Sequence, residues 1–220
     1  AQITPQVYYT FDLSNPLAPT TGTTNLTPTG SYTVNTGGQV GRYVTLPRAV
    51  NQQLIGQAVP VTTGITIEFV WKAEDGWDEN RDPILFWIGN INVRFAWPNI
   101  LFYTQSSSGA DNMTIDLQRV GPATWSYYKE GWHHFAFTYN STSGYKAMYI
   151  DGTSPAGFNK TLAGGTITAP SDQRLYIGSN QSFQSGTMDF DEIAVYNQAI
   201  PAAEVYGNYR QFTLGNHYTF

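Results

Sequence analysis

Hydrophobic and polar residues alternate with a period of two along most of this chain. Within residues 131–139, Phe135, Phe137 and Tyr139 fall on one side of an extended segment, with His134, Ala136 and Thr138 on the other. Within 65–73, Ile65, Ile67, Phe69 and Trp71 share a face. Alternating or wholly apolar runs occur at 6–11, 41–46, 65–73, 84–88, 92–97, 100–104, 113–119, 133–139, 146–150, 174–177 and 190–197. Gly, Pro, Asn or Ser separate most of them, as expected between the strands of a sandwich. The polar stretch 140–144 folds one long strand back on the next, and Asp151-Gly152 favours a tight turn because both residue types tolerate positive φ. One helix is expected over 201–209, where Pro201 suits the first helical position and Ala202, Ala203 and Glu204 follow. Residues 15–38, rich in Pro, Thr and Gly, read as a long surface excursion.

Strand parity also places charge. In the last strand Asp191, Ile193 and Val195 share one face, and Phe190, Glu192, Ala194 and Tyr196 the other. Asp191 is thereby expected on the apolar side, where an unpaired carboxylate is costly and needs a partner.

Composition narrows the function. The 220 residues suit one large all-β domain, and cysteine is absent, which excludes disulfides, thiolate metal sites and a cysteine nucleophile. Charged residues make up 12% and aromatics 15%, so solubility rests on Thr, Ser, Asn, Gln and Gly, a balance expected of secreted or virion-surface β proteins. With 11 scattered Lys and Arg and a net charge of −5, no basic face for nucleic acid is expected. No run is long enough for membrane insertion as a helix.

Five runs in order carry a resemblance. They are Ile65-Thr-Ile-Glu-Phe-Val-Trp-Lys-Ala73, Gly131-Trp-His-His-Phe-Ala-Phe137, Met148-Tyr-Ile-Asp-Gly152, Leu175-Tyr-Ile-Gly178 and Met188-Asp-Phe-Asp-Glu-Ile-Ala-Val-Tyr-Asn197, the last followed by Ala199-Ile-Pro-Ala-Ala-Glu204. Together, over roughly 7–206, they resemble the laminin-G-like branch of the concanavalin A-like lectin/glucanase superfamily. The resemblance implies an all-β jelly-roll sandwich of two antiparallel sheets, one concave, with the chain ends adjacent on one sheet. Many such proteins bind glycans, many carry calcium, and others are adhesive or structural modules.

Four sites follow for consideration. The resemblance implies that Asp12, after the first strand, lies near Asp191, so that the two carboxylates and backbone carbonyls could hold a structural Ca2+. The alternative is that Asp191 accepts hydrogen bonds from amides of the 197–202 turn. Residues 74–82 carry six charges in nine positions around Trp77, either a loop metal site or a solvated loop. Trp87, Trp97, Trp125, Tyr103, Tyr127 and Tyr128 cluster in the middle third, and Trp77, Trp97, Trp125 and Tyr127 are the expected glycan platform, since sugar C–H faces stack on indole and phenol. Buried core duty is the competing use of these rings. Catalysis finds little support. Asp189 and Asp191 share a face without the paired glutamates of glucanases, His133 and His134 point to opposite faces, and neither a nucleophile elbow nor a P-loop is present.

The expected function is non-catalytic, lectin-like recognition of a glycan or polysaccharide, extracellular, at a cell surface or on a virion. An assembly or decoration subunit that contacts neighbouring protein subunits is the alternative, and a glycoside hydrolase ranks third. Phe212, Leu214, Tyr218 and Phe220 favour docking of the tail over a free end.

Overall fold

The computed structural model describes residues 2–49, 51–73, 84–96, 98–119, 130–168, 170–178 and 187–214. The strands are β1 (Val7–Tyr9), β2 (Thr27–Pro28), β3 (Thr33–Thr36), β4 (Arg42–Leu46), β5 (Gln53–Ala58), β6 (Gly64–Ala73), β7 (Ile84–Ile88) and β8 (Ile91–Ala96). They continue with β9 (Asn99–Ser106), β10 (Gly109–Asp116), β11 (His133–Asn140), β12 (Tyr145–Ile150), β13 (Asn159–Thr161), β14 (Arg174–Gly178) and β15 (Met188–Tyr196), and helix α1 spans Ala202–Leu214. Two antiparallel sheets result. The first runs β13-β12-β11-β6-β15-β4-β3, with β1 also paired to β15; the second runs β10-β9-β8-β7-β14-β5-β2. The sandwich expected from the alternation is therefore present. Residues 15–38 differ from expectation in contributing two short strands, one to each sheet, because their polar side chains need no buried face to pair at an edge.

The inner faces meet in an aromatic core. Phe69 lies with its ring centroid 4.4 Å from Phe86, 5.7 Å from Phe135 and 5.9 Å from Phe137, and Trp71 stands 5.1 Å from Phe95. Each such side chain contributes about 1.5–3 kcal/mol through burial. The Asp151-Gly152 turn has φ of 49° and 75°, as its sequence requires, and Ile150 and Thr153 close it with reciprocal backbone bonds.

Strand β15 corrects the expected parity. Asp191 pairs with Val70 but Ala194 pairs with Glu68, so β15 carries an extra residue, and Glu192 takes it up at φ 51°. This bulge returns Phe190, Ile193 and Val195 to the same core, and Asp191 goes to the outer face with Val70 and Asp189. The bulge falls where β15 changes partners. Met188–Phe190 pair with β4, and Ile193–Val195 pair with β1.

Helix α1 covers the outer face of the first sheet. Val205 and Phe212 join Tyr8, Val70, Ala136, Tyr149 and Ala194 in a second apolar cluster, and Phe212 stacks on Tyr8 at 5.6 Å. The helix runs one turn beyond the expected 201–209 because Phe212 has this pocket to fill. Leu214 is 60% exposed, and Tyr218 and Phe220 lie outside the described residues.

Candidate functional site

The second sheet differs from the first in what lies over it. The described residues place no helix on its outer face. Core residues alternate there with outward ones, so the register lines up side chains from strand to strand. Tyr176 of β14 pairs with Trp87 of β7, Trp87 with Asn92 of β8, Asn92 with Tyr103 of β9, and Tyr103 with Asn112 of β10. Tyr176, Trp87 and Asn92 have core neighbours on either side, such as Phe86 and Ile88 beside Trp87, and Tyr103 and Asn112 have Phe102 and Met113 on one side, which fixes the outward direction. Trp87, Asn92, Tyr103 and Tyr176 are half-buried, and Asn112 is exposed.

The rings are held in place. Trp87 and Tyr176 stack with centroids 5.1 Å apart and planes at 29°, and the indole N–H donates to the carbonyl of Gly89. The Tyr176 hydroxyl donates to Asp172 at 2.7 Å, and Arg174 donates to the same carboxylate from Nη2 at 2.8 Å and Nε at 3.1 Å. Hydrogen bonds from Arg174 and then Tyr176 hold the Asp172 carboxyl well below the usual carboxylate range. The rim charge is thus closed on itself. The Oδ1 of Asn92 is buried with no hydrogen-bond partner.

A second site forms at the bulge. Asp191 is fully buried; its Oδ2 accepts from the Val40 amide at 3.0 Å and its Oδ1 from the Glu192 amide at 2.9 Å. Asp12, half-buried just after β1, accepts from the Arg42 amide at 2.7 Å. Both carboxylates therefore sit against the turn between β3 and β4. That turn needs its glycines, since a Cβ on Gly38 would stand 2.7 Å from Asp191 Oδ2 and one on Gly41, at φ 67°, would collide with Asp12. Burial pushes the Asp191 carboxyl well up; amide bonds oppose this and the charge of Asp12 adds to it. Burial likewise raises Glu192, and the charge of Asp191 adds to the shift, while the Tyr8 hydroxyl donates to Glu192 Oε2 and Oε1 is buried without a partner. The amides that hold Asp191 belong to the β3–β4 turn and the bulge, not to the 197–202 turn, because the bulge aims this side chain outward.

Among the described residues no three His, Cys, Asp or Glu side chains converge closely enough to hold a metal ion. Any cation at Asp12 and Asp191 would have to take further oxygens from the backbone. The surplus of negative charge and the orphaned Glu192 oxygen suit a hard cation.

Other buried polar groups are structural. His133 Nδ1 lies 2.9 Å from Asp151 Oδ2, and that carboxylate's other oxygen accepts the His134 amide at 3.0 Å. His134 points to the opposite face, under α1, 3.6 Å from Glu68, which accepts from Asn208 at 2.8 Å. Asp189 accepts from Thr45 at 2.6 Å and lies 3.7 Å from Lys72. Asp189 and Asp191, on the strand that most resembles a glucanase carboxylate strand, are 1% and 0% exposed and out of reach of a substrate.

The structure thus brings Asp12 and Asp191 to one turn, as the resemblance implied. Trp77, Trp97, Trp125 and Tyr127 lie outside the described residues, as does the acidic stretch 74–82. Trp87 and Tyr103 are half-buried on the outer face of the second sheet. Tyr176 was missed by sequence reasoning because its place beside Trp87 depends on β14 inserting between β7 and β5. Only its outward parity next to Leu175 and Ile177 could have hinted at exposure.

In sequence, no curated protein matches the chain. Several solved structures match in fold. The binding domain of botulinum neurotoxin serotype G superposes with a TM-score of 0.74 at 12% identity, over 94% of this chain and 50% of that one. The receptor binding domain of the botulinum neurotoxin C/D mosaic serotype gives 0.73 at 12%, over 94% and 51%. The binding domain of Paraclostridial Mosquitocidal Protein 1 gives 0.66 at 16%, over 86% and 48%. This chain therefore spans about half the length of the structures it matches. A family model described as the concanavalin A-like lectin/glucanases superfamily matches residues 36–206, and with the two-sheet architecture this shows that the chain belongs to that superfamily.

Proposed function

We propose that this domain is a non-catalytic glycan-recognition module whose binding surface is the outer face of the second sheet, acting in attachment outside the cell or on a surface. The observation that carries the reading is the row Tyr176–Trp87–Asn92–Tyr103–Asn112, which sets stacked rings beside amides on the face that α1 leaves open. Apolar sugar faces stack on rings and hydroxyls pair with amides, so this is the combination such a ligand needs. Superfamily membership supports it, as does the description of the fold neighbours as binding domains. The burial of Asp189 and Asp191 supports a role without catalysis.

Calcium at Asp12 and Asp191 belongs to the same reading. The ion would supply positive charge where β1, β15 and the β3–β4 turn meet, and so favour the ionised carboxylates that burial disfavours.

The test is a glycan array probed with the intact domain, with and without chelator, alongside Trp87→Ala. Binding that is lost in the variant while its thermal midpoint is retained is the expected result. A domain that binds no glycan in either buffer overturns the function.

A further inference from the structure

Helix α1 does not close the whole outer face of the first sheet. Beside its first residues lies a cavity of about 390 Å³, lined by Thr138, Asn140, Tyr145, Tyr149, Ile200 and Ala202 among others. The hollow has a local cause. Thr138 of β11 pairs with Thr66 of β6 on one side and with Ala147 of β12 on the other, so this row of the face carries only short side chains. Tyr145 and Tyr149 stand on β12 at either side of Ala147, on the same face. The opposite wall is the 198–201 turn, and it is pinned. Thr66 Oγ1 donates to the Gln198 carbonyl at 2.9 Å and accepts from the Ile200 amide at 3.0 Å. A Cβ on Gly64 would stand 2.8 Å from the Ala199 amide nitrogen, so the turn lies hard against β6. Tyr149 and Ile200 are seated in the apolar cluster under α1. Fixed parts therefore shape the cavity.

Its chemistry narrows the ligand. The Tyr145 ring is 40% exposed at the mouth, and Pro201 and Ala202 are exposed on the opposite rim. Polar groups come from the hydroxyls of Thr138, Ser143 and Tyr145 and from the Asn140 carboxamide. The Asn140 oxygen accepts the Ser143 amide at 3.0 Å, which orients its NH2 as a donor. Among the described residues none of those lining the cavity is charged. Small-ligand pockets run from about 300 to 1,000 Å³, so this one is sized for one or two small rings.

We propose that this cavity binds one neutral hexopyranose residue of a glycan, its apolar ring face on Tyr145 and its hydroxyls on Thr138, Asn140 and Ser143. A sugar is uncharged, apolar on one face and dense in hydroxyls, and the lining matches each property. A charged ligand meets no counter-charge there to offset its desolvation. The inference adds a site to the glycan-binding reading and makes no use of the row around Trp87. The two sites lie on opposite faces of the sandwich, so one domain joins two glycan chains instead of gripping one chain twice.

The experiment titrates methyl glycosides of glucose, galactose, mannose and N-acetylglucosamine into the intact, isotope-labelled domain and reads amide chemical shifts residue by residue. For at least one sugar, amides of 138–149 and 199–202 should shift together along one saturation curve. Tyr145→Ala should weaken that binding about tenfold or more by removing the stacking ring. Ala202→Trp fills the mouth without removing a contact and should abolish it. Melting curves confirm that both variants fold. Shifts confined to the row around Trp87, Asn92 and Tyr103 overturn the cavity as a site and leave the glycan-binding reading standing. Cavity shifts that persist unchanged in both variants also overturn it. A cavity that answers to an uncharged Gly-Pro-Tyr peptide amide blocked at its amino end, and to no sugar, is a protein-docking site, which overturns the inference as well. No shift anywhere with any sugar overturns the cavity site, and the glycan array then decides the broader reading separately.

Discussion

Lys146 shows what one residue can decide. It lies on β12 but points into the sandwich, where Nζ donates to Thr104 Oγ1 at 3.1 Å, to the Asp111 carboxylate at 3.0 Å and to the Asp111 carbonyl at 3.2 Å, so it ties the first sheet to β9 and β10. Its ammonium also lies 4.6 Å from the centroid of the Phe102 ring. Burial lowers its pKa from 10.5 to about 8, against the pull of Asp111. Between those values the unfolded chain holds a proton that the native state has released, so this group makes stability rise with pH across that window. Lys146→Met should cost about 1–3 kcal/mol at pH 7 by removing the donor from buried acceptors. Urea denaturation should show the gap to the parent widening between pH 8 and 10. At the centre of the core, Phe69→Ala should cost about 3–5 kcal/mol in the same assay, since its ring touches both sheets. Phe69 was legible in the sequence as a core residue from its parity with Ile67 and Trp71. Lys146 was not, because a lysine at an inward position finds its acceptors only on strands far away in the chain.

At the scale of elements, most strands follow their alternation; β7, where Leu85 and Phe86 both reach the core, and the β14–β5 pair carry register shifts, and β15 carries the bulge that redirects a carboxylate. Its bulge lets a single strand serve β4 with one half and β1 with the other while keeping Phe190, Ile193 and Val195 all in the core. Deleting Glu192 should therefore be far more damaging than substituting it. The deletion restores strict alternation and forces either Met188 and Phe190 or Ile193 and Val195 out of the core, so no cooperative melting transition is expected. Glu192→Gly suits φ 51° and should still melt cooperatively, despite losing the bond from Tyr8. Helix α1 is held by Val205 and Phe212 more than by its own sequence. Phe212→Ala should cost about 3 kcal/mol and raise hydrogen exchange at β11 amides before those of β7 or β8.

At the scale of the molecule, the buried carboxylates at the junction of β1, β15 and the β3–β4 turn couple stability to pH. Asp191 and Glu192 have folded pKa values raised by burial, so the native state binds more protons than the unfolded chain above the ordinary carboxylate range. Their contribution is fully present below about pH 4 and is lost as pH rises through the folded values, at about 1.4 kcal/mol per pH unit for each proton. In chelator, the thermal midpoint of the parent should therefore fall from pH 4 toward neutrality more steeply than that of Asp191→Asn. Millimolar calcium at pH 7 should raise the parent midpoint and leave the variant unmoved. An equal response of both proteins removes the ion from this junction.

Much of the candidate site could be read only by halves. The sequence marked Trp87 and Tyr103 among the clustered aromatics, and the family resemblance implied that Asp12 and Asp191 are neighbours. It could not say that Tyr176 stands beside Trp87, or that Asp191 leaves the apolar face. Period-two hydrophobicity by itself determined most of the strands and, away from the bulges, which side chains face the core, because alternate residues of a strand land on one face; β2, β3, β5 and β13 were not among the runs it marked. The Asp151-Gly152 turn was equally local, fixed by residues that accept positive φ. Strand order, the bulge and the cross-strand row were decided by tertiary structure alone. They depend on which distant strand supplies the next set of backbone hydrogen bonds, and no stretch of neighbouring residues contains that choice.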